Sequence, residues 1–326
     1  MHRRTFIGTA GAAAATLAAP LLHAQPTLPT APVRIVVGFS PGGGTDILAR
    51  VIGQKLAVMW NNQVIVENRA GATGMIAAEY VAKQPADGTA LLMAHINSHA
   101  IAPALYPKIP YNAERDFSPI TLVGVTPNLL ICGEQQPAKT VREIVELCKK
   151  NPGKISFGSA GNGSAQHLAL EMFKLAAGID AIHIPYKGSG PMLTDLIGGQ
   201  INYSFDTMTA ATPHVKSGKA IAVAQTREKR AKGHPTVPTM AESGFPGFEA
   251  TTWYGLVGPA KMPPAMVQRM NEDINKVLAM PDVIEKFEQY GAEDGGGSAE
   301  KFAGFIQSES KKWAKVVKDA NVKADA

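Results

Sequence analysis

Residues 34–46 read Arg34-Ile35-Val36-Val37-Gly38-Phe39-Ser40-Pro41-Gly42-Gly43-Gly44-Thr45-Asp46, and their order decides the fold. The opening six residues are a hydrophobic run bounded by turn residues, the pattern of a strand buried on both faces of a parallel sheet. Beyond Asp46, the residues Leu48, Val51, Ile52, Leu56 and Met59 recur at i, i+3, i+4 spacing, which predicts an amphipathic helix. Pro41 and three glycines lie between, with Thr45 placed to act as N-cap. Glycine lets the backbone come close to a ligand, and a helix N-terminus carries unpaired N–H groups and partial positive charge. Such a unit suits a small anion. Taken alone it equally fits a chain that merely turns.

A second unit of the same design lies later in the chain. The strand Lys154-Ile155-Ser156-Phe157 leads into the loop Gly158-Ser159-Ala160-Gly161-Asn162-Gly163-Ser164, and a helix follows with Leu168, Met172 and Leu175, closed by Gly178. Between the two units, residues 63–67 and 89–94 read as strands and 75–83 as a helix, implying right-handed βαβ units on a parallel sheet. The strand at 89–94 runs into His95-Ile96-Asn97-Ser98-His99, at the sheet edge where open α/β folds bind ligands. Pro127 interrupts the apolar run at 120–131, which excludes a simple central strand and suggests a chain passing between domains. Thr140 caps a helix to residue 150, with Glu143 completing a capping box. Residues 251–257 run extended past Trp253 and Tyr254 as a plausible return crossing, Pro263 and Pro264 open a helix, and a last helix at 301–318 buries Phe302, Phe305, Ile306, Trp313 and Val316 or Val317.

The 326 residues allow two domains or one large one. Of the formal charge of +5, Arg3 and Arg4 supply two, leaving three on the rest of the chain. That charge is too mild and scattered for a nucleic-acid partner. Arg3-Arg4 followed by an alanine-rich apolar stretch ending at Leu22-His23-Ala24 makes residues 1–24 an export signal, the paired arginines favouring the twin-arginine route. No later apolar run reaches the roughly 18 residues of a membrane span. Cys132 and Cys148 are the two cysteines. An oxidising compartment permits a bridge between them, but their positions do not decide whether they meet. Two distant thiols offer too few ligands for a metal.

Catalytic signatures are thin. Ser159 and Ser164 are flanked by small residues but lack the Gly-x-Ser-x-Gly elbow, since Phe157 occupies the place of the first glycine. Asp206 and His214 follow in hydrolase order, an order that arises easily by chance. His95 and His99 are four apart without the glutamate of a zinc motif, so capping or packing is the better reading. No dinucleotide fingerprint or P-loop lysine is present, and no cofactor is implied.

The chain resembles the tripartite tricarboxylate transporter receptor family, also called the Bug receptors. The resemblance spans nearly all of residues 25–326. It rests on Phe39-Ser40-Pro41-Gly42-Gly43-Gly44-Thr45-Asp46, Glu67-Asn68-Arg69-Ala70-Gly71, Asp87-Gly88 and the loop 158–164, then Pro185-Tyr186-Lys187-Gly188, Val237-Pro238-Thr239, Trp253-Tyr254-Gly255 and Trp313-Ala314-Lys315-Val316-Val317. It implies an α/β periplasmic binding protein, type II-like, whose two lobes close on a small carboxylate by hinge motion. The first lobe would take residues 25–125 and 255–326, the second 126–254. The ligand would be held largely through backbone groups and ordered waters and delivered, by a monomer, to the subunits of a tripartite tricarboxylate-type membrane transporter. Carried onto this chain, the first loop offers Phe39, Gly43, Gly44 and Thr45. The second offers Ser159, Ala160, Gly161, Asn162, Gly163 and Ser164, and Ser98, Tyr186 and Asp206 line the same cleft from strand ends. A departure is Ala70-Gly71-Ala72-Thr73, where the family commonly has a proline and more glycine; this bears on the pocket rim.

Three residues carry a structural alternative. Asp46 in a first helical turn favours the helix N-terminus and would repel an anion, so it reads as structural. Lys187 neutralises a second ligand carboxylate or pairs with a surface acid. Trp253 packs at the hinge or stacks on a ligand, the former being the commoner use. The rival to a receptor is an exported hydrolase-like enzyme acting on a small carboxylated substrate in the same cleft, for which Asp206 with His167 is the acid–base pair to test.

Overall fold

Two sheets share one long strand. The computed structural model describes residues 28–319 and 322–323; the export signal expected at 1–24 lies outside them. The first sheet begins with β1 (Val33–Val37), flanked by β2 (Val64–Asn68) and β3 (Ala90–His95), both parallel to it. Beyond β3 comes β9 (Thr251–Pro259), antiparallel to it, and then β4 (Phe117–Gly133), antiparallel to β9. The all-parallel sheet expected from the alternating pattern is therefore corrected to a mixed one. The chain leaves this half along β4 and returns along β9, so the two crossings run in opposite senses and pair as antiparallel neighbours.

Pro127 lies inside β4 at the point where the strand passes from one sheet to the other, the crossing that its position in the apolar run suggests. The strand pairs with β9 as far as Pro127 opposite Thr251. From Asn128 onward it pairs with β7 (Tyr203–Thr207) and with β8 (Ala220–Gln225). A residue without an N–H sits where the strand changes partners, so no ladder bond is lost from the middle of either sheet. The second sheet continues from β7 to β5 (Ser156–Ser159) and β6 (Ile182–Pro185), all parallel. The architecture is the expected α/β one of two lobes joined by paired crossing strands.

Helices cover both sheets: α1 (Gly44–Trp60), α2 (Met75–Ala82), α3 (Ala102–Leu105), α4 (Val141–Lys150), α5 (Ala165–Ala177), α6 (Ser189–Ile197), α7 (Met208–Lys216), α8 (Pro264–Leu278), α9 (Pro281–Gln289) and α10 (Ala299–Asp319). The capping box of α4 forms as read: Glu143 donates its N–H to the Thr140 hydroxyl at 3.3 Å and its carboxylate accepts from Thr140 N–H at 3.0 Å. Thr45 is not the N-cap of α1. Gly43 holds that position without a side-chain bond, and Thr45 is buried in the first turn. Asp46 takes over the capping work, accepting from Gly42 N–H at 3.0 Å and from Arg50 and Asn68.

Ile35, Leu48, Ile52 and Ile274 form one face of the first core; Trp253, Phe302, Ile306 and Trp313 form the other. Trp253 packs edge-on against Phe302 and Phe305 of α10, which is the hinge-packing use. The second lobe's core gathers Phe157, Phe173, Tyr203 and Phe205 with Cys132 and Cys148. Both cysteines are buried free thiols, and burial pushes each up to about 11. No described helix is long and apolar enough to cross a membrane.

Candidate functional site

The two glycine-rich loops meet the opposite lobe at close quarters. A Cβ built at Gly188, where φ is +137°, would stand 2.7 Å from Ser40 Oγ and 3.1 Å from Ser40 N. A Cβ at Gly44 would stand 2.5 Å from the Tyr254 hydroxyl and 2.8 Å from Thr207 Oγ1. Backbones come this near only where a side chain is missing. Across the same seam Ala165 N–H donates to Asn97 Oδ1 at 2.9 Å, and the Tyr106 hydroxyl donates to Asn162 O at 3.3 Å.

A cleft of about 560 Å³ opens along this seam. Its walls include Phe39, Thr73, Tyr106, Ala160, Gly161, Asn162, Tyr186 and Lys187. Among the described residues, the N–H groups of Phe39, Ala160 and Asn162 make no hydrogen bond to the protein, whereas those of Gly161, Gly163 and Ser164 are taken by Ser159 Oγ, His167 Nδ1 and Gly161 O. Lys187 is the sole charged side chain on the walls, and no acid pairs with it among the described residues. A groove of about 630 Å³ elsewhere is lined by Met172, Leu175, Phe245 and Val316, with Asp319 its one charge. It suits no anion.

Buried polar atoms without partners concentrate at the seam. Eight such side-chain atoms occur among the described residues, and six belong to Ser40, Thr73, Asn97, Gln166, Asp206 and Tyr254. Each lies on a segment that touches, or directly backs, the opposite lobe. An unpaired buried polar group costs about 1–3 kcal/mol, so a cluster of them marks a place where something other than the protein completes the bonding.

Asp206 ends β7, fully buried. Its Oδ1 accepts from Ser189 Oγ at 2.5 Å and from Thr207 N–H at 2.8 Å. Burial pushes its carboxyl up to about 7, although Ser189, Thr207 and the nearby Gln166 amide pull the other way; Gln166 leans toward the carboxylate without completing a bond to Oδ2. His95 and His99 are packing groups. His95 accepts from Asn97 N–H and lies between the Phe39 and Tyr254 rings, while His99 meets Ser98 Oγ and the Phe117 ring. Burial drives both down to about 3, so both are neutral. Among the described residues no group of three His, Cys, Asp or Glu side chains is placed to hold a metal.

Of the residues singled out from sequence, Phe39, Ala160, Gly161, Asn162 and Tyr186 line the cleft. Gly43, Gly44, Thr45 and Asp206 lie in the seam behind it. Ser98 is buried on its own backbone, Ser159 is buried against His183 and Gly161, Gly163 packs toward Leu105, and Ser164 caps α5. Sequence reasoning missed Thr73 and Tyr106. Thr73 had a signal, the altered segment at 70–73. Ala72 and Thr73 have φ of +46° and +51°, the left-handed region that glycine adopts freely and a β-branched residue resists. The enzyme-like pairings do not form: Asp206 is bonded to Ser189 and Thr207 rather than to a histidine, while His167 stacks on His183 at 3.8 Å and faces Glu171.

A family model described as the tripartite tricarboxylate transporter family receptor matches residues 48–322. The chain belongs to that family. The receptor is 36% identical to Protein BugT of Bordetella pertussis over 319 residues, covering 98% of this chain and 96% of the relative. Among solved structures it is similar to R. palustris Rpa4515 with adipate, at 34% identity and a TM-score of 0.88, covering 90% of this chain and 99% of that one. It is likewise similar to the periplasmic binding protein BugD, at 35% identity and a TM-score of 0.87, covering 91% and 100%. The fold is the two-lobed one of periplasmic binding proteins.

Proposed function

We propose that this receptor works in the periplasm as a monomer, captures a small carboxylate between its lobes and delivers it to the membrane subunits of a tripartite tricarboxylate-type transporter, without transforming it. The lobes divide as residues 25–125 with 255–326 against 126–254. The observation that carries this reading is the clustering of unpartnered buried polar atoms with the free N–H groups of Phe39, Ala160 and Asn162 on one seam. Uncharged donors such as the N–H groups of Phe39, Ala160 and Asn162 on one cleft can bind a carboxylate without a reactive side chain. Gly43, Gly44 and Thr45 add the N-terminus of α1 to this field. Ser98, Ser159, Gly161, Gly163 and Ser164 hold the loops in shape, and Tyr186, bonded to Asp195 at 2.8 Å, forms a wall. Adipate in a relative of like fold supports the ligand class.

One observation favours the rival enzyme: Ser159 Oγ lies 2.6 Å from His183 Nε2. That serine is fully buried and its Oγ is engaged by the Gly161 backbone, so a substrate has no path to it. A thermal-shift screen of small carboxylates, with neutral amides as controls, tests the receptor reading. A ligand at a thousand times its Kd adds about 4 kcal/mol of stability. A carboxylate hit recovered intact by mass spectrometry supports a receptor; consumption of the hit sinks it in favour of the enzyme.

A further inference from the structure

The backbone N–H groups of the second loop alternate in use. Those of Ala160 and Asn162 stay free at the cleft, while Gly161 donates to Ser159 Oγ at 3.1 Å and Gly163 to His167 Nδ1 at 3.1 Å. Positive φ at Gly161 (+129°) and Gly163 (+67°) allows this course of the backbone. The two acceptors are joined behind the loop. His183 Nε2 lies 2.6 Å from Ser159 Oγ, and the His183 ring stacks on His167 with centroids 3.8 Å apart and planes 5° from parallel. Neither histidine lines the cleft. Because Gly163 donates to Nδ1, the ring proton of His167 sits on Nε2. That nitrogen faces Glu171 at 3.7 Å, and Glu171 is itself held by Lys174 at 2.9 Å. Burial, with His167 and Lys174 close by, drives His183 down to about 3, so its ring is neutral.

Resting on the receptor reading above, we infer that the stacked His167–His183 pair is a brace that positions the second loop. It claims the N–H of Gly163 directly and that of Gly161 through Ser159, and so leaves those of Ala160 and Asn162 for a carboxylate. Both histidines are positioning residues, since they touch the loop and not the cleft. A pair of donors fixed before the ligand arrives spares the cost of ordering the loop on binding.

Two measurements on the unliganded wild-type protein need no variant. Nuclear magnetic resonance of the ring nitrogens should show His167 with its proton on Nε2. Amide exchange should find Gly161 and Gly163 protected, and Ala160 and Asn162 fast. The opposite tautomer, or four amides exchanging alike, overturns the inference. Calorimetric titration with succinate, malate and adipate then reads the brace through binding. His167→Leu and His183→Leu should each raise Kd about tenfold. His167→Asn keeps an acceptor near Nδ1 and His183→Gln a polar group near Nε2, so both should stay within about threefold of wild type. A merely structural role would lower the melting temperature of the leucine variants and leave Kd alone, which overturns the inference. Conservative variants that bind as weakly as the leucine ones overturn it too. A wild-type protein that binds none of the three acids counts against the receptor reading, and the tautomer and exchange results then decide the brace on their own.

Discussion

At the scale of the residue, Gly44 and Thr73 separate two ways in which a position serves this seam. Gly44 has ordinary helical geometry, so a methyl group there adds no backbone strain. Its Cβ would nevertheless stand 2.5 Å from the Tyr254 hydroxyl and 2.8 Å from Thr207 Oγ1. Gly44→Ala should therefore wedge the seam and weaken carboxylate binding about tenfold, and cost about 1–3 kcal/mol of stability in the unliganded protein. Unchanged affinity by calorimetry would show that the seam yields freely. Thr73 is the opposite case. Its left-handed backbone costs about 1–2 kcal/mol, while its Oγ1 is buried without a partner at the cleft. Strain retained beside a ligand site points to use. Thr73→Gly should raise the unfolding free energy by about 1 kcal/mol and lower ligand affinity. A stabilised variant that binds as tightly as wild type would make the hydroxyl dispensable.

At the scale of the element, α10 is the strap that ties the return crossing to the first lobe. It buries Phe302, Ile306, Trp313 and Val317 on one face, holds Trp253 through Phe302 and Phe305, and bonds the turn after β3 through Ser310 Oγ to His99 O at 3.1 Å. Trp313 Nε1–H donates to Glu309 at 3.0 Å. Trp313→Ala should cost about 3–5 kcal/mol in a denaturant melt, since it leaves a cavity and also strips a buried carboxylate of its donor. A loss under 1 kcal/mol would mean that the helix can peel away without cost. Most elements were legible in sequence, among them the α4 capping box, the Ser164 cap, the Gly178 stop and the stripe of α10. These signals are local, set by which residues lie three or four apart. Pro127 was legible for a physical reason: a missing N–H is tolerated where no neighbour awaits it, and β4 changes neighbours there. Thr45 misled, since Asp46, held by Arg50 and Asn68 from other turns, had taken the capping role.

At the scale of the whole molecule, pH dependence follows from buried groups. Burial holds His95, His99 and His183 down to about 3, below the ordinary 6.5. The unfolded chain therefore binds more protons, and stability falls as pH drops from about 6.5 toward 3. Asp206 runs the other way: with its carboxyl raised to about 7, the folded state holds the extra proton, so stability from this group is lost as pH rises from about 4 to 7. Three histidines against one carboxyl leave the net slope positive below pH 6. Urea melts at pH 4, 5 and 6 should show rising unfolding free energy, and a flat series would contradict the burial of these rings.

By itself, the sequence determined the alternation of strands and helices, the two glycine-rich loops, the caps, and the several spaced motifs that carried the family. All of these depend on neighbours a few residues away along the chain. The antiparallel return of β9, the free state of Cys132 and Cys148, the stacking of His167 on His183 and the hydrogen bond of Ser189 to Asp206 were decided in tertiary structure alone. Each depends on residues on different elements, and the burial that sets their chemistry exists once those elements have packed. Which loop amides remain free belongs to the same class, because an N–H is available only if no distant side chain has already claimed it.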